Sequence, residues 1–481
     1  MRRTHKKILP QSSSKEERLS ELELELVRER AENQRLRVSN VRLQQLLERL
    51  REENEGLKRE GKRQAAPFAR RKRVEHPKKP GRKAGQGKFS RREAPTDRQV
   101  NRTKKARLHG CPEFGCRLRD MRQHKQYVTD IPKTVRLITT RYVTYSGYCA
   151  DCGKRIHSRH AEQTSQATGA AGVLVGPRAK ALAADAKHRL GCSYGKVSEL
   201  LNDAFGMQVS RSGWCQADQR LAKQARPVYQ GLIEALQRSS VVHADETGWR
   251  IGTLSAWLWV FTNQEITVYA IRDNRSSDVV VEILGEQFQG ILASDCFLAY
   301  DDKRLKDWLK QKCLAHLLKD LKEMEDSKTG RAVRFAQQLT ALLQAALKLK
   351  VKKLSLDPAL FAQQAQALEI QLDTLLSKQR NLKDPDNLRF ARRLRKHRPH
   401  LLRFLYVDDL DATNNRAERQ IRPSVIIRKT NGCNRSKGGA ETHSVLANVL
   451  VTCRQHSFPI LDYMVSLQRF GETPPSLIRS P

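Results

Sequence analysis

A chain of 481 residues is long enough for several domains and a sizeable core. Its 90 Lys and Arg against 52 Asp and Glu leave a formal charge of +38, an excess that attracts polyphosphate and makes such binding salt-dependent. Ten mostly scattered cysteines argue for reduced thiols and against a disulfide framework. With no apolar run of roughly 18 residues and no signal-peptide core after the basic start, a cytoplasmic protein is expected.

The first predicted element is a coiled coil over residues 15–60. Leu19, Leu26, Asn33, Asn40, Leu47 and Asn54 fall at a positions, and Leu22, Glu29, Leu36, Leu43, Leu50 and Leu57 at d positions. Asn at a specifies register and favours two parallel strands, so a homodimer is expected. The coil should end near Gly56 and Gly61. A basic linker follows over 61–105, with Arg70-Arg71-Lys72-Arg73 and Lys78-Lys79-Pro80-Gly81-Arg82-Lys83, a stretch suited to phosphate contact or to a solvated tether.

Residues 106–165 carry Cys111-x₄-Cys116 and Cys149-x₂-Cys152, four thiolates that suit one tetrahedral structural Zn²⁺. Tyr127-Val128 and Val135–Val143 read as strands over that site. His157 and His160 are substitutes for a cysteine ligand, though a lone His there is more often a solvent or phosphate contact. Residues 170–235 read as a helix-turn-helix DNA-binding domain: a helix over 178–190, a second over 193–205, a turn at Gly206–Val209, and a third helix capped by Ser210. Arg211, Ser212 and Gln216 on that last helix are the candidate DNA contacts.

A short apolar run then delivers Asp245 to what reads as a strand end in Val-Val-His-Ala-Asp-Glu-Thr-Gly-Trp. Ala256–Phe261 and Ile266–Ile271, separated by Asn263-Gln264-Glu265, continue as a meander. An amphipathic helix over 276–285 precedes Gly290–Asp295, a second apolar strand ending in Asp. Three antiparallel strands, a helix and a further strand form the order of a ribonuclease-H-like core (238–318 and 406–465). In that fold the first and fourth strands are neighbours, so Asp245 and Asp295 should meet.

The third acid, Glu418, stands in Asp411-Ala412-Thr413-Asn414-Asn415-Arg416-Ala417-Glu418, on a predicted helix whose polar start suits an N-cap. Three carboxylates suit Mg²⁺ (or Mn²⁺), which prefers hard oxygen ligands. Two such ions roughly 3.5–4 Å apart can activate an attacking oxygen and stabilise a leaving one. Asp245 is expected to bridge both, Asp295 and Glu418 completing one site each. Arg416, Arg419 and Arg422 flank Glu418 at three-residue steps and suit DNA backbone or neighbouring carboxylates. Residues 319–405 read as a helical insertion, leucine-rich and then strongly basic, and 466–481 as a tail. Cys313 and His316 make an incomplete metal pair and read as core or active-site-flanking residues. Trp249 reads as a core or strand-face aromatic with the alternative of stacking on a displaced base.

The sequences His243-Ala244-Asp245-Glu246-Thr247, Ser294-Asp295, Cys313-Leu314-Ala315-His316 and Asn414-Asn415-Arg416-Ala417-Glu418-Arg419 with Arg422-Pro423 resemble the insertion sequence 66 family of transposases, members of the DDE group. The likeness extends from about residue 20 to about residue 465. It implies a nucleoid-associated bacterial enzyme that binds the DNA ends of its own element, cleaves to release a 3′-hydroxyl and joins it to target DNA, with accessory proteins of the same element as partners. No covalent enzyme–DNA intermediate is needed, and no Tyr or Ser nucleophile stands out. A non-catalytic DNA-binding regulator is the alternative from another class; the intact acids in all three motifs argue against it.

Overall fold

The computed structural model describes residues 15–65, 94–105, 137–377 and 382–478, with short pieces at 113, 116, 119 and 125–129. It divides into two units, residues 1–90 and 91–481. The first contains α1 (Lys15–Ala65), a single helix of 51 residues. It runs through Gly56 and Gly61, where the sequence suggested an end. Each glycine costs about 1 kcal/mol in a helix interior, and Glu, Lys, Arg, Gln and Leu around them are strong helix formers. Leu19, Leu26, Leu36, Leu43 and Leu47 of the heptad series are all exposed along the helix. The basic runs at 70–73 and 78–83 lie outside the described residues.

In the second unit, β1 (Ser146–Cys149) and β2 (Lys154–His157) form an antiparallel hairpin. The expected strands at 127–128 and 135–143 are not formed at the described residues 127, 128 and 137–143, which find no partner strand there. The pairing falls instead on the segments flanking the second cysteine pair, because Gly153 at φ +64° allows a tight reversal between them.

Three helices follow: α2 (Pro177–His188), α3 (Tyr194–Phe205) and α4 (Arg211–Gln237). Local chemistry sets their ends. Ser193 and Ser210 cap α3 and α4 by accepting from the amides of Lys196 and Gly213, and Gly206 closes α3 in the left-handed conformation. Val197, Leu201 and Trp214 pack with Ala183 and Ala186 in a small core. The 27-residue α4 then continues, so that Leu221, Ala225, Leu232 and Leu236 join the core of the main sheet.

That sheet contains β3 (Val241–Ile251), β4 (Leu254–Thr262), β5 (Thr267–Arg272), β6 (Ile291–Ser294) and β7 (Leu309–Lys312), in the order β5-β4-β3-β6-β7. β3, β4 and β5 are antiparallel, while β6 pairs parallel with β3 and β7 parallel with β6. The first and fourth strands of the sheet are therefore neighbours, with α5 (Ser277–Leu284) between β5 and β6 in the chain. Both faces of the sheet are covered, and successive residues face different cores with period two. Val242, Ala244, Trp259, Phe261, Val268, Ala270 and Leu292 face one core with α4, α5 and α11 (Lys437–Gln455). Val241, Ile291 and Ala293 face a second core with α6 (Leu314–Ser327), α7 (Arg331–Lys352), α8 (Pro358–Ser377) and α9 (Pro385–His397). Over β3 and β4 the same side packs α10 (Asn415–Asn431) through Ala417, Ile421 and Ile427. α11 also covers the β5 edge: Asn448 accepts from the Tyr269 amide and donates to its carbonyl. α12 (Ile460–Ser466) adds Tyr463 and Met464 to the first core. The leucines expected on the insertion helices are thus part of a core shared with the sheet.

Candidate active site

Asp245 lies mid-strand and not at a strand end. β3 continues to Ile251 as the hairpin partner of β4, turning at Gly252 with φ +62°. What ends nearby is the parallel ladder with β6, whose last pair is His243↔Ala293. Asp245 therefore stands just past the point where β3 and β6 part, and Asp295 directly follows β6. Both occupy the face toward α6 and α10, since 241, 243 and 245, like 291, 293 and 295, share a side. Each carboxylate is fixed through one oxygen, Asp245 Oδ1 by the Glu246 amide and Asp295 Oδ1 by the Phe297 amide, both at 2.9 Å.

Glu418 is in the first turn of α10. Asn414, at the cap position, does not cap the helix with its side chain. It reaches into β3: Nδ2 donates to the Ala244 carbonyl at 2.7 Å, and Oδ1 lies 3.3 Å from His243 Nδ1. Since Oδ1 is the acceptor there, His243 carries its proton on Nδ1; burial pushes this histidine down to about 4, so it stays neutral. The Asn414 amide donates to Cys313 Sγ at 3.1 Å, the Leu314 amide to the Ala412 carbonyl at 2.9 Å and the Cys313 amide to the Ser294 carbonyl at 2.8 Å. The ends of β3 and β6 and the starts of α6 and α10 are thus cross-braced beside all three acids.

Asp245 feels the charge of the other two acids. Burial first, then the negative charge of Glu246, Asp295 and Glu418, pushes Asp245 up from 3.8 to about 7. A cluster of acids strained in this way suits a divalent cation, whose charge removes the penalty. Glu246 points to the opposite face, where its buried carboxylate accepts from Arg275 Nη2 at 2.6 Å and from the Tyr300 hydroxyl at 2.5 Å. Arg275 in turn lies over the Phe297 and Trp257 rings, at 3.7 and 4.6 Å. Behind Asp295, buried Lys312 donates to its carbonyl at 3.0 Å and pairs with Asp301 at 2.9 Å. The sequence reading missed Asn414 as a brace, and likewise Glu246–Tyr300 and Lys312–Asp301. Asn414 alone had a local signal, its place in the polar run before Glu418.

His316, in the first turn of α6, lies with Nδ1 3.7 Å from Glu418 Oε1. Its hydrogen bond with Cys313, aided by Glu418 and Asp295, pushes it up to about 9 against its own desolvation. Trp249 is buried, donates Nε1–H to Asn434 at 2.9 Å and stacks on His443 at 5.8 Å. It holds the core position, and a ring so placed does not reach a displaced base.

Of the residues considered for DNA contact, Arg211, Ser212 and Gln216 are exposed on the first two turns of α4, as are Arg419 and Arg422 on α10. Arg416 lies 3.7 Å from Asp411. At the hairpin, Cys149 is held below the usual thiol range by the Cys152 amide, then the Cys152 thiol and the Asp151 amide. Cys116 and Cys152 are exposed and free. Cys111 lies outside the described residues.

The family model described as Transposase IS66 family matches residues 172–442, a span that contains all three acids and every element that braces them. This chain belongs to that family. Over 290 residues this chain is 26% identical to the uncharacterized protein y4qI of Sinorhizobium fredii (strain NBRC 101917 / NGR234). The alignment covers 54% of this chain and 53% of that protein, so the chain spans about half the length of the relative. Among the described residues no helix is long and apolar enough to cross a membrane.

Proposed function

We propose that this transposase binds the ends of its insertion sequence, cleaves to free a 3′-hydroxyl, and joins that hydroxyl to target DNA at a ribonuclease-H-like DDE site formed by Asp245, Asp295 and Glu418. The observation that supports the reading is the bracing of the ends of β3 and β6 against the starts of α6 and α10, the segments that carry Asp245, Asp295 and Glu418. Asp245 would hold both divalent ions, Mg²⁺ or Mn²⁺, with Asp295 and Glu418 holding one each. Bound there, the ions would activate the attacking oxygen and stabilise the leaving one. The protein's own part is to keep the acids in register: the amides of Glu246 and Phe297 fix two of them, and Asn414 sets α10 against β3.

The remaining modules support DNA handling. α1 would dimerise through its exposed leucine seam. Cys149 and Cys152 on the hairpin would hold one structural Zn²⁺ with Cys111 and Cys116. Arg211, Ser212 and Gln216 would read DNA, while Arg419 and Arg422 bind phosphate near the acids and Arg416 divides between phosphate and Asp411. Proteins encoded by the same element would be its partners. The test is incubation with Mg²⁺ and DNA bearing the element's ends, with products resolved on a sequencing gel. Asp245→Asn, Asp295→Asn and Glu418→Gln should each abolish cleavage and joining while band-shift affinity persists, because affinity rests on phosphate contacts elsewhere. Near-wild-type cleavage in all three variants sinks the proposal.

A further inference from the structure

Among the described residues, the grouping of three or more metal-competent side chains whose ligand atoms all lie within 4.8 Å of one another is Cys313, His316 and Glu418. A thiol, an imidazole and a carboxylate suit a thiophilic borderline ion better than Mg²⁺, which takes oxygen. The spacing is close to what such an ion needs. Ligand atoms about 2.0–2.3 Å from a tetrahedral zinc stand about 3.3–3.8 Å apart, and His316 Nδ1 to Glu418 Oε1 is 3.7 Å. The sulfur is also held in place, since the Asn414 amide donates to Cys313 Sγ. Cys313 stands at the N-cap of the 14-residue α6.

We propose that Cys313, His316 and Glu418 form a zinc site that shares Glu418 with the hard-metal site, so that zinc binding withdraws this carboxylate and holds the transposase inactive. Three protein ligands leave one position for water. Zinc enters as the thiol and imidazolium protons pass to solvent; no electron transfer is involved. The inhibitory consequence rests on the catalytic reading of Glu418 given above, whereas the binding site does not.

The test uses the metal-stripped full chain titrated with Co²⁺ as a coloured substitute for zinc. The hairpin cysteines contribute equally to wild type and variants, so difference spectra isolate this site. Wild type minus Cys313→Ser should retain thiolate-to-cobalt charge-transfer absorbance. Cys313→Ser, His316→Ala and Glu418→Gln should each bind about one ion fewer per chain. Zinc should suppress Mg²⁺-supported cleavage in wild type, and the concentration for half-inhibition should rise by more than about tenfold in His316→Ala. His316 is half-exposed, so this variant keeps the test decisive if Cys313→Ser fails to fold. Unchanged cobalt spectra and stoichiometry in both variants overturn the site. Loss of the ion without any zinc inhibition overturns the sharing of Glu418 and leaves the site standing. Absence of cleavage in wild type at every metal concentration counts against the catalytic reading alone.

Discussion

Asp245→Asn separates electrostatics from simple loss of a side chain. In the metal-free folded protein Asp245 keeps its proton up to about pH 7, whereas in the unfolded chain it loses it near 3.8. The folded state thus binds more protons between those values, and the stability present below pH 4 is lost as pH rises through 7. At about 1.4 kcal/mol per unit, the shift corresponds to a loss on the order of 4 kcal/mol by pH 8. Asp245→Asn removes that charge, so the metal-free variant should lose far less stability between pH 5 and 8 and should exceed wild type at the upper end. Mg²⁺ should reverse the order: at 100 times Kd it stabilises wild type by about 2.7 kcal/mol, with little effect on the variant. Thermal unfolding at pH 5 and pH 8, with EDTA or Mg²⁺, gives all four comparisons. Equal pH dependence in the two proteins would refute the buried-acid argument; equal stabilisation by Mg²⁺ would refute the role of Asp245 as ligand.

Further expectations follow from the braces and outer modules. Asn414→Ala leaves the Ala244 carbonyl and His243 without their partner at a cost of about 1–3 kcal/mol per buried group; kcat should fall while DNA affinity is kept, and an unchanged kcat would show that α10 is held by packing alone. A fragment ending at residue 65 should sediment as a dimer, and a monomer at roughly tens of micromolar would remove α1 as the dimer element. About one zinc ion per chain should survive dialysis and be lost from Cys149→Ser and Cys152→Ser; unchanged zinc in both would move that site elsewhere.

What the sequence disclosed was what depends on near neighbours. Ser193, Ser210 and Gly206 announce α3, α4 and the turn between them, because caps act within three or four residues. The β-rich residues of Ala256–Phe261 and Ile266–Ile271 likewise announce β4 and β5, and the strand order pointed to β3 beside β6. The length of β3 was missed because its last residues, Gly248–Ile251, pair only with a strand that must first turn back. The brace by Asn414 was hidden for a related reason: its partner, the Ala244 carbonyl, lies 170 residues away. A polar residue before a helix reads locally as a cap, and here the long-range bonds outcompete the capping bond. Tyr300, whose hydroxyl meets Glu246 across the core, carries no periodic or motif signal.

The Lys312 contacts lead to a last prediction, about a carboxylate outside the proposed ligand set. Asp301 is buried and accepts from Lys312 at 2.9 Å and Lys396 at 3.0 Å, with His397 Nε2 at 3.4 Å. Burial alone would push its pKa up, but Lys312, Lys396 and His397 outweigh it and hold the carboxyl below the ordinary range. Lys312 also holds the Asp295 carbonyl, so Asp301 acts on Asp295 through a single shared ammonium. Asp301→Asn breaks a buried pair, a change that costs about 3–5 kcal/mol, and frees Lys312 to move. The variant should lose stability and most cleavage, while Asp307→Asn, with its side chain 86% exposed, should keep both. Raising Mg²⁺ should not rescue Asp301→Asn if the defect is the displaced Asp295 backbone. Wild-type cleavage in Asp301→Asn would show that Asp295 is positioned without Lys312, by the Phe297 amide and the β6 ladder alone.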